Sequence, residues 1–277
     1  MRIRTTSTQR TYRYVRLSIV GATLALAVSI GIEVAGRGVL SSLSAAFYTP
    51  AGNVFVGVLC AIALALLVLS GRSVEQGLLD LAAVFALVVA LIPTPISDAS
   101  CGGDAVCVPA AAIPGVVNNG ISVASLSLVV LIVAAVLART QGQAGAGTVV
   151  TLAAAAVIVA GFVAWALGDF PGFLRGAHNV AAVGFFSVIG VVAAISAWRP
   201  QRAPRRFRAV YAVVAVGILG TLGALVAVLI AGRAATAAVG GVPVIFLGES
   251  IVVALFAAFW LVQTVELWNA VDPALRA

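Results

Sequence analysis

Nine carboxylates, one histidine and three cysteines, with arginines and tyrosines, are the reactive chemistry available to this chain of 277 residues. Glu249 is the sharpest case. It sits about two turns into an apolar run, VPVIFLGESIVVALF, with no basic residue near it in sequence. An isolated carboxylate at that depth must find a cation, face water or take up a proton. Two readings stay open, a ligand- or proton-binding group and a buried structural ion pair. His178 is the sole histidine, three residues after Arg175 in FLRGAHNVAAVGFF, with Asn179 next to it. Its chemistry suits a proton acceptor or a lipid headgroup contact. The alternative is an interfacial ring bonded to backbone or water. Glu33 and Arg37 stand four apart, in the order that favours a helical ion pair. Such a pair either anchors a helix end or contributes to a site. Glu75, Asp80, Glu266 and Asp272 lie at the ends of apolar runs and read as solvated termini; Gln263 and Glu266 share a helix face near Trp260.

Other arrangements that could carry chemistry fail on residue type. GQAGAGT, residues 142–148, has the glycines of a phosphate loop but no lysine, and reads as a turn. Neither GxSxG nor HExxH occurs, and one histidine cannot build a three-histidine zinc site. Cys101 and Cys107, in CGGDAVC, make a poor zinc set without a nearby histidine. In an oxidising compartment they are expected to form a disulfide that closes a small hairpin. Cys60 lies within an apolar run and reads as a packing residue.

The elements that must position these groups follow from composition. The chain is 62% hydrophobic and 9% charged, against about 25% charged in a typical soluble domain. Such a chain cannot cover itself with polar surface, so lipid is its solvent. Crossing the hydrocarbon takes about 20 apolar residues. Eight runs qualify: 17–36, 52–70, 76–93, 120–138, 148–168, 176–198, 209–231 and 243–268. The expected fold is an all-α polytopic bundle of eight spans. Residues 17–268 form one domain between cytoplasmic tails 1–16 and 269–277. Pro93 and Pro95 end the third run, and Asp169, Pro171 and Gly172 are read as ending the fifth. Gly217, Gly220 and Gly223 suit close helix packing in the seventh.

The net charge of +7 comes from arginine without any lysine. With the N-terminus inside and eight alternating spans, 13 arginines fall inside and 3 outside (Arg37, Arg175 and Arg233). That is the asymmetry of the positive-inside rule, so the basic excess points to membrane orientation and not to nucleic acid. Both termini are then cytoplasmic. Ser41 to Gly57, SSLSAAFYTPAGNVFVG, becomes an outer connector that brings Tyr48 and Asn53 to the level of His178 and Glu249.

Several stretches together resemble a group of uncharacterised bacterial integral membrane proteins, related in turn to the DRAM/Frag superfamily. They are SxSxxFYTPxxNVFVG (42–57), ALIPTP ending the third run, the cysteine-containing loop, HNVAAVGFF, RRFRAVY and FLGES. The group's motif is of the form SxSxxYYTxxRDxFVG. Gly52 and Asn53 stand where it carries Arg and Asp, and runs 120–138 and 148–168 read as an insertion into a six-helix core. The resemblance implies that Tyr48, Asn53, His178 and Glu249 belong to one site.

The expected function is binding or transport of a lipid or small amphiphile, in a bacterial inner membrane, through an outward-facing polar pocket. Its candidate residues are Tyr48, Asn53, Arg175, His178 and Glu249. No cofactor or metal is expected, and the expected partners are membrane lipids. The alternatives are an accessory or scaffold subunit and a membrane-embedded hydrolase using Glu249 and His178.

Overall fold

A computed structural model of the chain describes residues 6–69, 73–101, 106–142, 144–198, 205–233 and 236–268. Arg2, Arg4, Arg72, Arg199, Arg202, Asp272 and Arg276 lie outside the described residues. The helices are α1 (Thr6–Arg37), α2 (Gly52–Val68), α3 (Val74–Leu91), α4 (Ile113–Thr140), α5 (Ala146–Gly168), α6 (Phe170–Trp198), α7 (Arg205–Ile230) and α8 (Val244–Glu266). Seven are long and apolar enough to cross a membrane; α2, with 17 residues, is the short one. It follows a buried 3-10 turn, Ser44–Tyr48, which completes the passage from α1. Strands β1 (Ala238–Val239) and β2 (Val242–Pro243) form a small hairpin before α8.

The helix boundaries show what hydropathy alone misplaces. Helix α1 starts well before the apolar run, because the arginine-rich segment continues the helix. Helix α6 begins at Phe170 and not near residue 176. Asp169 therefore starts a helix instead of merely ending one. Its Oδ1 accepts the Gly172 N–H at 2.9 Å, the pattern of an N-cap with proline in the first turn. At α3, Ser73 and Gln76 form a reciprocal capping box that fixes the helix start.

The start of α1 and the end of α8 meet at one end of the bundle, the terminal end. Arg13 of α1 ties them by donating to the Trp268 carbonyl at 2.6 Å, with its guanidinium over that indole ring. The core lies among α1, α2, α3, α6, α7 and α8, where Phe55, Ile189, Ile218, Phe259 and Trp260 are nearly or fully enclosed. Helices α4 and α5 pack on α3, α6 and each other at the periphery. Only Val116, Ala138 and Ala155 are buried along these two helices. The outward side chains, such as Ile121 and Val157, are apolar and suited to lipid. On α7, Gly217 lets Leu255 of α8 approach closely, whereas Gly220 and Gly223 meet nothing there.

Candidate functional site

The end opposite the termini is organised by the α1–α2 connection. Within it the two serines of SxS do different work. Ser42 Oγ accepts the Ala45 N–H at 3.0 Å and opens the 3-10 turn. Ser44 faces α8: its N–H donates to Glu249 Oε2 at 3.1 Å and its Oγ donates to Oε1 at 3.0 Å. The first amides of a helical turn lack partners within the turn, and a carboxylate is the natural acceptor for them. Thr49 closes the segment by accepting the Ala51 N–H at 3.1 Å and donating to the Ala46 carbonyl at 2.9 Å. Gly52 then starts α2 with no room for a side chain, since a Cβ there would collide with the Phe47 carbonyl oxygen.

Tyr48 and His178 converge on the exit of α3. Pro93 and Pro95 stop that helix and cannot offer amide hydrogens, and Ile92 is extended as a residue before proline should be. Side chains from three elements meet the carbonyls this leaves. Asn119 of α4 donates to Leu91 O at 3.4 Å, His178 of α6 bonds Ile92 O at 2.7 Å, and Tyr48 donates to Thr94 O at 2.9 Å. A carbonyl only accepts, so His178 donates from Nδ1, and in the neutral ring its Nε2 is left as an acceptor. That nitrogen is buried and has no hydrogen-bond partner among the described residues. Tyr48 lies in the connector, where burial raises its phenol above the ordinary range and the Asp98 charge adds to the effect.

Glu249 lines a cavity of about 90 Å³ enclosed by α1, α2, α3, α6, α7 and α8. Three of its nineteen lining residues are polar, Ser44, Asn179 and Glu249, so a single carboxylate end faces an apolar chamber. Leu26, Phe55, Phe185, Phe186 and Val252 are among the apolar walls. Of the residues expected to share a site, Glu249 is on this cavity. Tyr48 and His178 are bonded to the α3 exit nearby, and Asn53 and Arg175 are exposed and away from it. Glu33 and Arg37 form an ion pair at 3.1 Å, the first buried and the second open to the surroundings. Cys101 and Cys107 are at disulfide distance, with Cα atoms 5.5 Å apart, beside an antiparallel bridge between Ile96 and Cys107.

No family model, curated protein or solved structure matches this chain. The functional reading therefore rests on its own geometry. Sequence reasoning missed Ser44 and Asn119 as partners. Both are small polar residues whose spacing carries no signal until helices α3, α4 and α8 come together. A second cavity, about 400 Å³, lies between α3, α4, α5 and α6; its lining is apolar apart from Ser127. The larger space is thus one for hydrocarbon, and the polar groups gather elsewhere. Among the described residues no three of His, Cys, Asp and Glu gather as a metal-binding group.

Proposed function

We propose that this chain is a multi-pass inner-membrane protein of a bacterium that binds a small amphiphile in the Glu249 cavity. In this reading all eight helices span, both termini are cytoplasmic and the Glu249 end faces outward. The observation that carries the proposal is the carboxylate of Glu249. It is held on one side by two hydrogen bonds from Ser44 and borders an apolar chamber on the other. A head with N–H or O–H donors would meet Glu249 and Asn179, and a short apolar tail would lie against Phe185, Phe186 and Val252. Charge favours a cationic or neutral donor head, because Glu249 is the only ionisable group lining the cavity among the described residues. The test is titration of the protein in lipid nanodiscs with hexylammonium. Saturable binding that weakens at least tenfold in Glu249→Gln supports the proposal, and equal binding by both proteins defeats it.

A structural role is the second reading, and a specific observation favours it. Asn119, His178 and Tyr48 each engage a carbonyl at the α3 exit. Under that reading these residues set the stability of a scaffold subunit, and Glu249→Gln changes stability without changing ligand binding.

A further inference from the structure

The apolar cavity of about 400 Å³ between α3, α4, α5 and α6 has a shape that decides what fits it. Toward the terminal end α3 and α5 touch, and Gly77 leaves no room for a Cβ against Thr151 Oγ1. Further along both helices the Phe85 and Phe162 rings pack edge to face, with centroids 6.4 Å apart. From that pair the cavity runs as a groove toward the Glu249 end. There Trp165 of α5 stands edge to face on Phe173 of α6 and fills the space over Gly176, which shuts the α5–α6 seam. The back wall, with Val88, Ile92 and Phe173, is buried. The opening lies between α4 and α5, where Val117, Ile121 and Leu167 are 44%, 64% and 84% exposed.

Residue choice on α4 holds the groove open. Gly120 and Ala124 are one turn apart on one helix face, and both line it. In membrane helices small residues at this spacing usually bring backbones together. Here a Cβ at Gly120 would meet nothing within 4 Å, so the small side chains make room instead of contact. Among the described residues the lining carries no charge, and Ser127 is its one polar side chain. Dimensions then choose among apolar occupants. From Val116 to Ser127, α4 borders the groove for about 16 Å. About 400 Å³ spread over that length is a cross-section of about 25 Å². A helix about 10 Å across needs about 80 Å², so a helix of a second copy does not enter. A polymethylene chain whose neighbours stand about 4.5 Å away needs about 20 Å². The exposed rim is continuous with the apolar, lipid-facing surface of α4 and α5, and the bilayer supplies such chains there.

We infer that this groove is a binding site for one acyl chain of a membrane phospholipid, seated along α4 between the α4–α5 pair and the core helices α3 and α6. The site reads the tail, and the head stays at the bilayer surface of the Glu249 end. It shares no lining residue with the Glu249 cavity, so the two stand or fall separately. The experiment places the full chain in phosphatidylcholine nanodiscs doped with a phosphatidylglycerol that carries a diazirine at the end of one acyl chain. Illumination and peptide mass spectrometry give the labelling yield at each residue. Val157 and Val159 of α5 lie at nearly the same depth, but Val157 is 71% exposed and Val159 is a half-buried groove residue. Bulk lipid labels Val157 more. A seated chain is expected to label Val159 and Ser127 at least threefold more than Val157. Gly120→Trp, which fills the groove, is expected to cut the labels on Val159 and Ser127 at least fivefold and leave Val157 unchanged. Glu249→Gln is expected to leave all these yields unchanged, which separates this site from the amphiphile cavity. Should Gly120→Trp fail to assemble, Ala166→Phe narrows the groove from α5 and is expected to act in the same direction. Labels that follow exposure, with Val157 above Val159, overturn the inference, as do groove labels that neither filling variant reduces. Absence of label on Val159 and Ser127, the result expected if side chains of a second copy fill the groove, overturns it equally.

Discussion

Replacing Glu249 by leucine removes the acceptor for two donors at once. Ser44 N–H and Ser44 Oγ, at 3.1 and 3.0 Å from the carboxylate, would face apolar surface, and Ser44 is only 6% exposed. Interhelical hydrogen bonds in membrane proteins average about 0.6 kcal/mol and reach about 1.7. A charged acceptor roughly doubles a neutral bond. Two such bonds are therefore worth about 2 kcal/mol. Relief from burying the carboxylate reduces the loss, whereas the unsatisfied Ser44 amide increases it. The expected destabilisation for Glu249→Leu is about 2 kcal/mol. Ser44→Ala, which removes the hydroxyl and keeps the amide bond, is expected to lose about 1 kcal/mol. The double variant should lose less than the sum, since both changes remove the same Oγ contact. Equilibrium unfolding in mixed micelles, followed by circular dichroism, gives all three values. A Glu249→Leu protein within about 0.5 kcal/mol of the parent, the range of ordinary surface changes, would refute the reasoning.

Three further outcomes are expected. Gly52→Ala forces a Cβ into the Phe47 carbonyl and should lower the melting temperature by several degrees, whereas Gly220→Ala on α7, which meets nothing, should leave it within error. Cys101 and Cys107 should resist maleimide in the unfolded, unreduced protein while Cys60 reacts, giving a mass increase of one label, against three after reduction. Tyr48 has a phenol raised by burial, so the folded state holds its proton more tightly than the unfolded state. Its contribution is complete below the ordinary phenol range near 10 and declines as pH rises through the higher folded value. Stability should therefore fall less steeply above about pH 10 in Tyr48→Phe than in the parent, as measured by chemical unfolding at a series of pH values.

Hydropathy located the helices, since every described α-helix overlaps one of the eight apolar runs. It placed their starts less well, because capping chemistry sets those. Asp169 reads as a break by composition, and only its bond to the Gly172 amide shows that it begins α6. Glu249 stood out because a lone carboxylate in an apolar run is conspicuous, yet its partner was not legible. Ser44 lies 205 residues away and is an ordinary connector serine by type. His178 was conspicuous by rarity, but its contact is a main-chain carbonyl, which no side-chain pattern can announce. A chamber of about 120 Å³ at the terminal end was masked for a different reason. Arg16, Glu75 and Glu266 each sit at a span boundary, where a charge usually meets water. Only the convergence of α1, α3, α7 and α8 brings them to one chamber, with Arg16 buried and the two glutamates half-buried. The i, i+3 spacing of Gln263 and Glu266 was the one local hint that this face turns inward.

The central claim is that the Glu249 cavity seats an amphiphile. Photo-crosslinking in nanodiscs with a diazirine-tagged hexylammonium, mapped by peptide mass spectrometry, tests it most directly. The account predicts labels on the cavity walls near Phe185, Phe186 and Val252, protected by excess hexylammonium and lost in Glu249→Gln. Labels confined to the apolar groove around Ile121 and Phe162, with the same yield in Glu249→Gln, would contradict it.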